Sequence, residues 1–269
     1  MVFKSIFMTA NIFYTILPTN TVRYHGRSMS ITTNAEFQKH VEKLSSSSMG
    51  TEHMGPLLYA LIKFTRPHRV LEVGSGLTTI YILAALHEIS QLEKAEFAYK
   101  RSNYNPDFRN PDYYRMQHPK FCLHTFDNFK HPKTSATHIQ EVAKELGLKH
   151  LLKFSNTEYQ NIHKVLNKDE QNFDMIWCDV GGLINYSTQQ NLLLPLLQNR
   201  TDGYMIFHST LSNIHGLAFL NQLKLDILSG KLPDLELMSF FEPHKHRQNS
   251  CTILRKKGGL SSRIYSEQP

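Results

Sequence analysis

The sequence is poor in cysteine, with three in 269 residues and no Cys-x-x-Cys pair. An odd count without paired spacing speaks against a disulfide framework. Cys122, Cys178 and Cys251 each lie in an apolar, strand-like run, which reads as buried free thiols in a reducing compartment. Histidine is plentiful at 15, yet no His-Glu-x-x-His or comparable ligand spacing occurs, so no histidine-built metal site is expected. Acid is missing from the start: Glu36 is the first acidic residue, whereas Lys4, Arg23 and Arg27 are basic. That bias is faintly like a transit peptide, and Met29 reads equally well as the effective start of the folded protein. Residues 1–34 are therefore expected to be an extension, poorly ordered on its own. There is no long apolar run either. Residues 3–17 are moderately apolar but interrupted by Lys4 and Asn11, and too short to cross a bilayer. A cytoplasmic protein without a membrane span is the expectation. The net charge of +7 is not gathered into one basic stripe. It is spread over the first 35 residues, residues 94–133 and the tail after Pro243, which speaks against a nucleic-acid partner and for attraction of an anionic small molecule.

What is present is enough for a sizeable core, with 41% hydrophobic and 11% aromatic residues. Apolar periodicity and punctuation predict helices over residues 35–44, 56–65, 78–87, 135–146, 158–166, 188–197 and 214–229. Strands are predicted over residues 69–73, 121–127, 150–154, 173–179, 203–208, 235–241 and 250–255. Alternation of this kind predicts an α/β fold, a doubly wound and mostly parallel sheet with helices on both faces. The second strand comes late. Residues 99–120 are polar and aromatic, carry Pro106, Pro111 and Pro119, and show neither helical nor strand period. A segment of about residues 92–120 is read as an insertion or lid, with Tyr113 and Tyr114 among the aromatics that can close over a substrate. One main domain over residues 35–258 and a short tail over residues 259–269 complete the organisation.

Chemistry concentrates in Arg69-Val70-Leu71-Glu72-Val73-Gly74-Ser75-Gly76-Leu77-Thr78-Thr79. An apolar strand, an acid at its end and two glycines describe a strand-to-helix turn built around a ligand. The helix that follows aims its free N–H groups and positive dipole end at that ligand. A dinucleotide fingerprint would carry a third glycine, with its acid about 20 residues further on. Here Thr79 holds the third position and the acid comes first. Polar residues also end three later strands, at Asp127, Asp179 and His208. Ligands of open α/β sheets bind outside the carboxyl ends of the strands, so these groups are expected to converge.

This ordered series resembles the class I S-adenosylmethionine (SAM) dependent methyltransferases, of the type that acts on small molecules. The resemblance covers about residues 56–257. It implies SAM as cofactor, a seven-stranded sheet with an antiparallel last strand, and a cofactor site made by Glu72, Gly74, Ser75, Gly76, Thr78, Asp127, Asn128, Asn156 and Asp179. Asp127 matches the acid that takes the ribose hydroxyls, and Asn156 lies where the family lines the adenine. Asp179 matches the acid near the reacting centre, and His208 is the expected base. The stretch Phe207-His208-Ser209-Thr210-Leu211 looks like the His-Asp-Thr-Leu of many small-molecule members, with Ser209 replacing the acid. The metal-dependent branch uses oxygen ligands there, so the loss weakens the case for Mg²⁺ and no metal is expected. Asp179-Val180-Gly181-Gly182 stands where base and glutamine methylases carry Asp-Pro-Pro-Tyr or Asn-Pro-Pro-Tyr, which favours a small metabolite as acceptor. The polar run of residues 242–249, at the same edge, supplies Glu242, His244 and Arg247 as candidate contacts to an anionic or amine-bearing substrate. Oxygen and nitrogen acceptors both stay open, as does homo-oligomerisation. The other readings are an RNA or protein methyltransferase, a non-catalytic SAM-fold binding protein and a nicotinamide-dependent oxidoreductase.

Overall fold

A computed structural model describes residues 30–45, 51–102, 120–180, 185, 188–197, 203–242 and 249–257. Its centre is a seven-stranded sheet: β1 (Arg69–Val73), β2 (Cys122–Asp127), β3 (Leu152–Asn156), β4 (Met175–Cys178), β5 (Gly203–His208), β6 (Leu235–Phe241) and β7 (Ser250–Lys256). The order across the sheet is β3-β2-β1-β4-β5-β7-β6. The pairs among β1 to β5 are parallel, and β7 runs antiparallel to both β5 and β6. A doubly wound sheet with an antiparallel final strand is thus what forms.

Helices cover both faces. On one lie α1 (Ala35–Leu44), α2 (Met54–Thr65), α3 (Leu77–Ser102) and α4 (Ile139–Glu145), packed on Val70, Leu123, Met175, Trp177 and Ile206. On the other are α5 (Ile162–Val165), the irregular turn of residues 189–196 and α6 (Ile214–Leu228), packed on Leu71, Val73, Phe126, Cys178 and Phe207. Strand side chains alternate between faces, so β1 sends Val70 and Glu72 to the α3 side and Leu71 and Val73 to the other. A strand flanked on both sides by helices must be apolar throughout. Glu72 breaks that rule.

Helix ends follow local chemistry. Asn34 caps α1 by accepting from the Glu36 N–H, and Asn213 caps α6 by accepting from His215 and Gly216. Arg66 ends α2 in the left-handed region at φ 50°, ahead of Pro67.

The helices expected over residues 135–146 and 158–166 each open with a 3₁₀ turn, Ala136–His138 and Tyr159–Asn161. The fourth strand is shorter than expected, at Met175–Cys178. Three further elements also differ. The helix after Gly76 does not stop at His87 but continues to Ser102. Its apolar stripe fades, yet Gln91, Leu92, Glu93, Lys94 and Ala95 are strong helix formers and propensity carries the chain on. The segment read as an insertion from about residue 92 therefore begins as helix. The third strand starts at Leu152, because Lys149–Leu151 closes a 3₁₀ turn after Gly147. Residues 188–197 form a π turn, Gln189–Leu193, followed by a 3₁₀ turn, Leu194–Leu196. Pro195 has no N–H to donate to a helical carbonyl, which explains the wider turn ahead of it. Cys122, Cys178 and Cys251 are free thiols on β2, β4 and β7, and burial pushes all three up in pKa. Among the described residues no helix is long and apolar enough to cross a membrane.

Candidate active site at the carboxyl edge of the sheet

Register brings the strand ends together. Val73 aligns with Phe126 and Cys178, Asp127 with Asn156, Cys178 with Phe207, and His208 with Cys251. Glu72, Asp127, Asn156, Asp179 and His208 thus lie on one edge, as their positions at strand ends predict. Because β7 is antiparallel, its start at Ser250 falls on that edge too, and the Glu242 N–H donates to the Asn249 carbonyl at 2.9 Å.

The glycine turn is set by what surrounds it. Gly74 has φ +84°, and a Cβ there would stand 2.3 Å from the Asp179 carbonyl oxygen. Only glycine fits, by conformation and by space. The Gly74 N–H continues the β2 ladder by donating to the Phe126 carbonyl at 2.9 Å, and the Asp179 N–H donates to the Val73 carbonyl at 2.8 Å. The turn is therefore anchored to β2 and β4 together.

Glu72 is wholly buried beneath it. The Thr78 hydroxyl donates to one carboxylate oxygen at 2.9 Å and the Thr79 hydroxyl to the other at 2.7 Å. Burial still wins. It raises the Glu72 pKa to about 8 against the pull of both hydroxyls, with the Asp179 charge adding to the rise. Thr79 was not among the expected site residues. Its position three residues after Gly76 is a helix-start signal, with Gly76 N–H donating to its hydroxyl at 2.9 Å. Ser75 offers a buried hydroxyl with no hydrogen-bond partner among the described residues.

Asp127 does two jobs. One carboxylate oxygen accepts from the Ser75 N–H at 2.9 Å, across 52 residues of sequence. The other accepts from the Phe129 N–H at 2.7 Å, the mark of an Asx turn. Phe129 sits at φ 57° and stacks on Phe154, with ring centroids 5.6 Å apart. Asn128 and Asn156 are exposed beside this turn.

On the other side of the glycine turn, His208 is 5% exposed and linked at both nitrogens. Nδ1 lies 2.9 Å from Asp179 Oδ1, and Nε2 lies 2.9 Å from Asn249 Oδ1. The Trp177 ring stands 6.0 Å away, centroid to centroid. Asn249 is the residue that spacing alone missed, because it arrives 41 positions later in the chain. Next to His208, Ser209 occupies the left-handed region at φ 60°. Gly216 makes room for that corner, since a Cβ there would stand 2.7 Å from the Ser209 carbonyl oxygen. A non-glycine residue held at positive φ costs about 1–3 kcal/mol and persists where its surroundings enforce it.

Glu242, a candidate substrate contact, makes a close side-chain hydrogen bond with His53 at the amino end of α2. The other candidates for the substrate side, Tyr113, Tyr114, His244 and Arg247, lie outside the described residues, as do Gly181, Gly182 and the segments 1–29 and 258–269.

No protein-family model matches the sequence, and no curated protein matches it either. Solved structures do. An O-methyltransferase from Bacillus cereus in complex with SAH aligns with TM-score 0.56 at 11% identity, covering 87% of this chain and 94% of that one. The O-methyltransferase involved in tomaymycin synthesis in Streptomyces achromogenes, in complex with SAM, aligns with TM-score 0.51 at 16% identity, covering 87% and 92%. A SAH-bound methyltransferase from Podospora anserina aligns with TM-score 0.51 at 16% identity, covering 83% and 88%. The chain has the fold of the class I SAM-dependent methyltransferases. Within this methyltransferase fold, the edge that gathers Gly74, Asp127, Asp179 and His208 is the carboxyl edge of the parallel strands, where open α/β sheets take their ligands.

Proposed function

We propose that this protein transfers the methyl group of SAM to an oxygen or nitrogen of a small molecule. One observation carries the reading. On this fold, a glycine turn that opens a helix, an acid on the neighbouring strand end and an Asp–His pair across β4 and β5 share a single edge. The residues suit the cofactor chemically. Asp127 is an acceptor for ribose hydroxyls, with lone pairs left after its two backbone partners. The amino end of α3 suits the cofactor's carboxylate, and the partnerless Ser75 hydroxyl can pair with one of its polar groups. Asn128 and Asn156 stand on the side expected for the adenine.

Glu72 acts one layer below. Its carboxyl group is held by Thr78 and Thr79, so it fixes the shape of the turn from beneath. When bound, SAM supplies a sulfonium methyl that needs only an in-line nucleophile held close by. The protein's work is to orient the two partners, exclude water and receive a proton. Asp179 and His208 stand where the acceptor would meet the cofactor. The tomaymycin-pathway neighbour supports a small acceptor by fold analogy alone.

The test is incubation with methyl-labelled SAM and fractionated cell extract, followed by filtration and mass spectrometry. The expected result is label in a small molecule that passes the filter and has gained one methyl mass. Label retained on RNA or protein would point to a macromolecular acceptor. SAM binding without any label transfer would favour a binding protein.

A further inference from the structure

Resting on that reading, we infer that Asp179 receives the acceptor's proton, and that His208, backed by Asn249, positions the Asp179 carboxylate instead of acting as the base. The assignment reverses the role that a strand-end histidine first suggests.

It follows from which atoms can donate. A carboxylate only accepts, so the 2.9 Å link from Asp179 Oδ1 requires the proton on His208 Nδ1. That leaves Nε2 as the other nitrogen that can take up a proton, and Asn249 meets it at 2.9 Å inside the protein. The amide either accepts from a protonated Nε2 or, turned over, donates its NH₂ to a neutral one. In both states the ring keeps Nδ1–H on Asp179 and has both nitrogens engaged by protein partners. Among the described residues, the neighbours of the ring named below do not change this. Trp177 is neutral, and Cys251, its register partner on β7, is a buried thiol whose pKa is raised by burial. Glu242, joined to Asn249 through the backbone, pairs with His53.

Asp179 is placed differently. Its side chain is 21% exposed while His208 is 5% exposed, and among the described residues its Oδ2 has no donor. The balanced step is then as follows. The acceptor's O–H or N–H proton passes to the Asp179 carboxylate as the acceptor's electron pair forms the new bond to carbon. The old S–CH₃ bond breaks with its pair left on sulfur, which becomes a neutral thioether. The carboxyl later returns the proton to water.

Two measurements test this. The first is the ring-nitrogen chemical shifts of His208 in ¹⁵N-labelled full-length protein from pH 6 to 9. A protonated Nδ1 throughout is expected, and an unprotonated Nδ1 in this range would overturn the proposal. The second is turnover of tritiated-methyl SAM with the active extract fraction at saturating SAM. Asp179→Asn should lose about 100-fold or more, the range of a missing general base. His208→Asn, whose amide can donate to the same carboxylate, should keep at least roughly a tenth of wild-type turnover. Asn249→Ala should lower turnover by about tenfold while the SAM dissociation constant stays within about twofold. A His208→Asn variant as inactive as Asp179→Asn would restore histidine as the base and sink the proposal. A wild type that binds SAM but labels no fraction would overturn the functional reading and the base assignment with it, whatever the nitrogen shifts report.

Discussion

The two halves of the carboxyl edge are built on different principles. Around β1 and β2 the carboxylates are satisfied by donors close to the glycine turn. Glu72 takes the hydroxyls of Thr78 and Thr79, and Asp127 takes the N–H groups of Ser75 and Phe129. Around β4, β5 and β7 the polar groups reach one another across long stretches of chain, from Asp179 to His208 and from His208 to Asn249. The first half is a preformed cradle whose shape is fixed before any ligand arrives. The second is a relay of single hydrogen bonds that runs from Asp179 through His208 to Asn249. Damage to the first should therefore appear as lost stability and lost cofactor affinity. Damage to the second should appear as lost turnover on an intact fold.

The sharpest test of the cradle is Gly74→Ala set against Gly147→Ala. Both glycines have positive φ, at +84° and +71°, but only Gly74 faces a backbone atom, the Asp179 carbonyl oxygen at 2.3 Å. Gly147→Ala should cost about 1 kcal/mol from conformation alone. Gly74→Ala should cost about 3 kcal/mol or more, since β1 and β4 must part. Urea unfolding midpoints decide it, and equal losses would mean the turn is looser than described.

Glu72 gives a pH-dependent effect of the next size. Its folded pKa of about 8 lies above the ordinary 4.5, so the folded protein holds that proton more tightly than the unfolded chain. The stabilising contribution is whole below pH 4.5 and is lost as pH rises through 8. Ligand-free wild type should lose on the order of a few kcal/mol over that window, and Glu72→Gln should lack this slope. Parallel slopes in the two proteins would show that Glu72 ionises normally.

Asp127→Ala should weaken SAM binding by about 10- to 100-fold, as loss of charge-assisted hydrogen bonds worth about 1.5–3 kcal/mol implies. Thermal unfolding with and without SAM separates this from loss of fold. The smallest effect belongs to the rim. Lys130 and Glu158 form an exposed pair beside the Asp127 turn, so Lys130→Ala should leave the unfolding midpoint unchanged within error.

The same contrast explains what could be read in the sequence. The turn from Arg69 to Thr79 was legible because its chemistry is local: an acid, two glycines and two threonines within a few residues. Strands β1, β5 and β6 have the expected bounds, since Pro67, Gly203 and Glu242-Pro243 punctuate them. Asp127 was legible as a strand-end acid, whereas its two oxygens also hold the Asx turn at Phe129 and the glycine turn at Ser75. Asn249 was not legible as a partner of His208. The expected antiparallel last strand brings both to one edge, but their contact depends on the register of β7 against β5, which the residues around neither one encode. The left-handed Ser209 was hidden for a similar reason, because its room comes from Gly216 on the next helix. Helix α3 outran its expected end because propensity persisted after the apolar stripe faded.

The central claim is that this edge is a SAM site, and calorimetric titration of the purified full-length protein with SAM, and separately with NAD, tests it most directly. One SAM per chain, displaced by SAH, with no heat from NAD, is the predicted result. Binding of NAD in preference to SAM, or no SAM binding by a folded protein, would contradict the account.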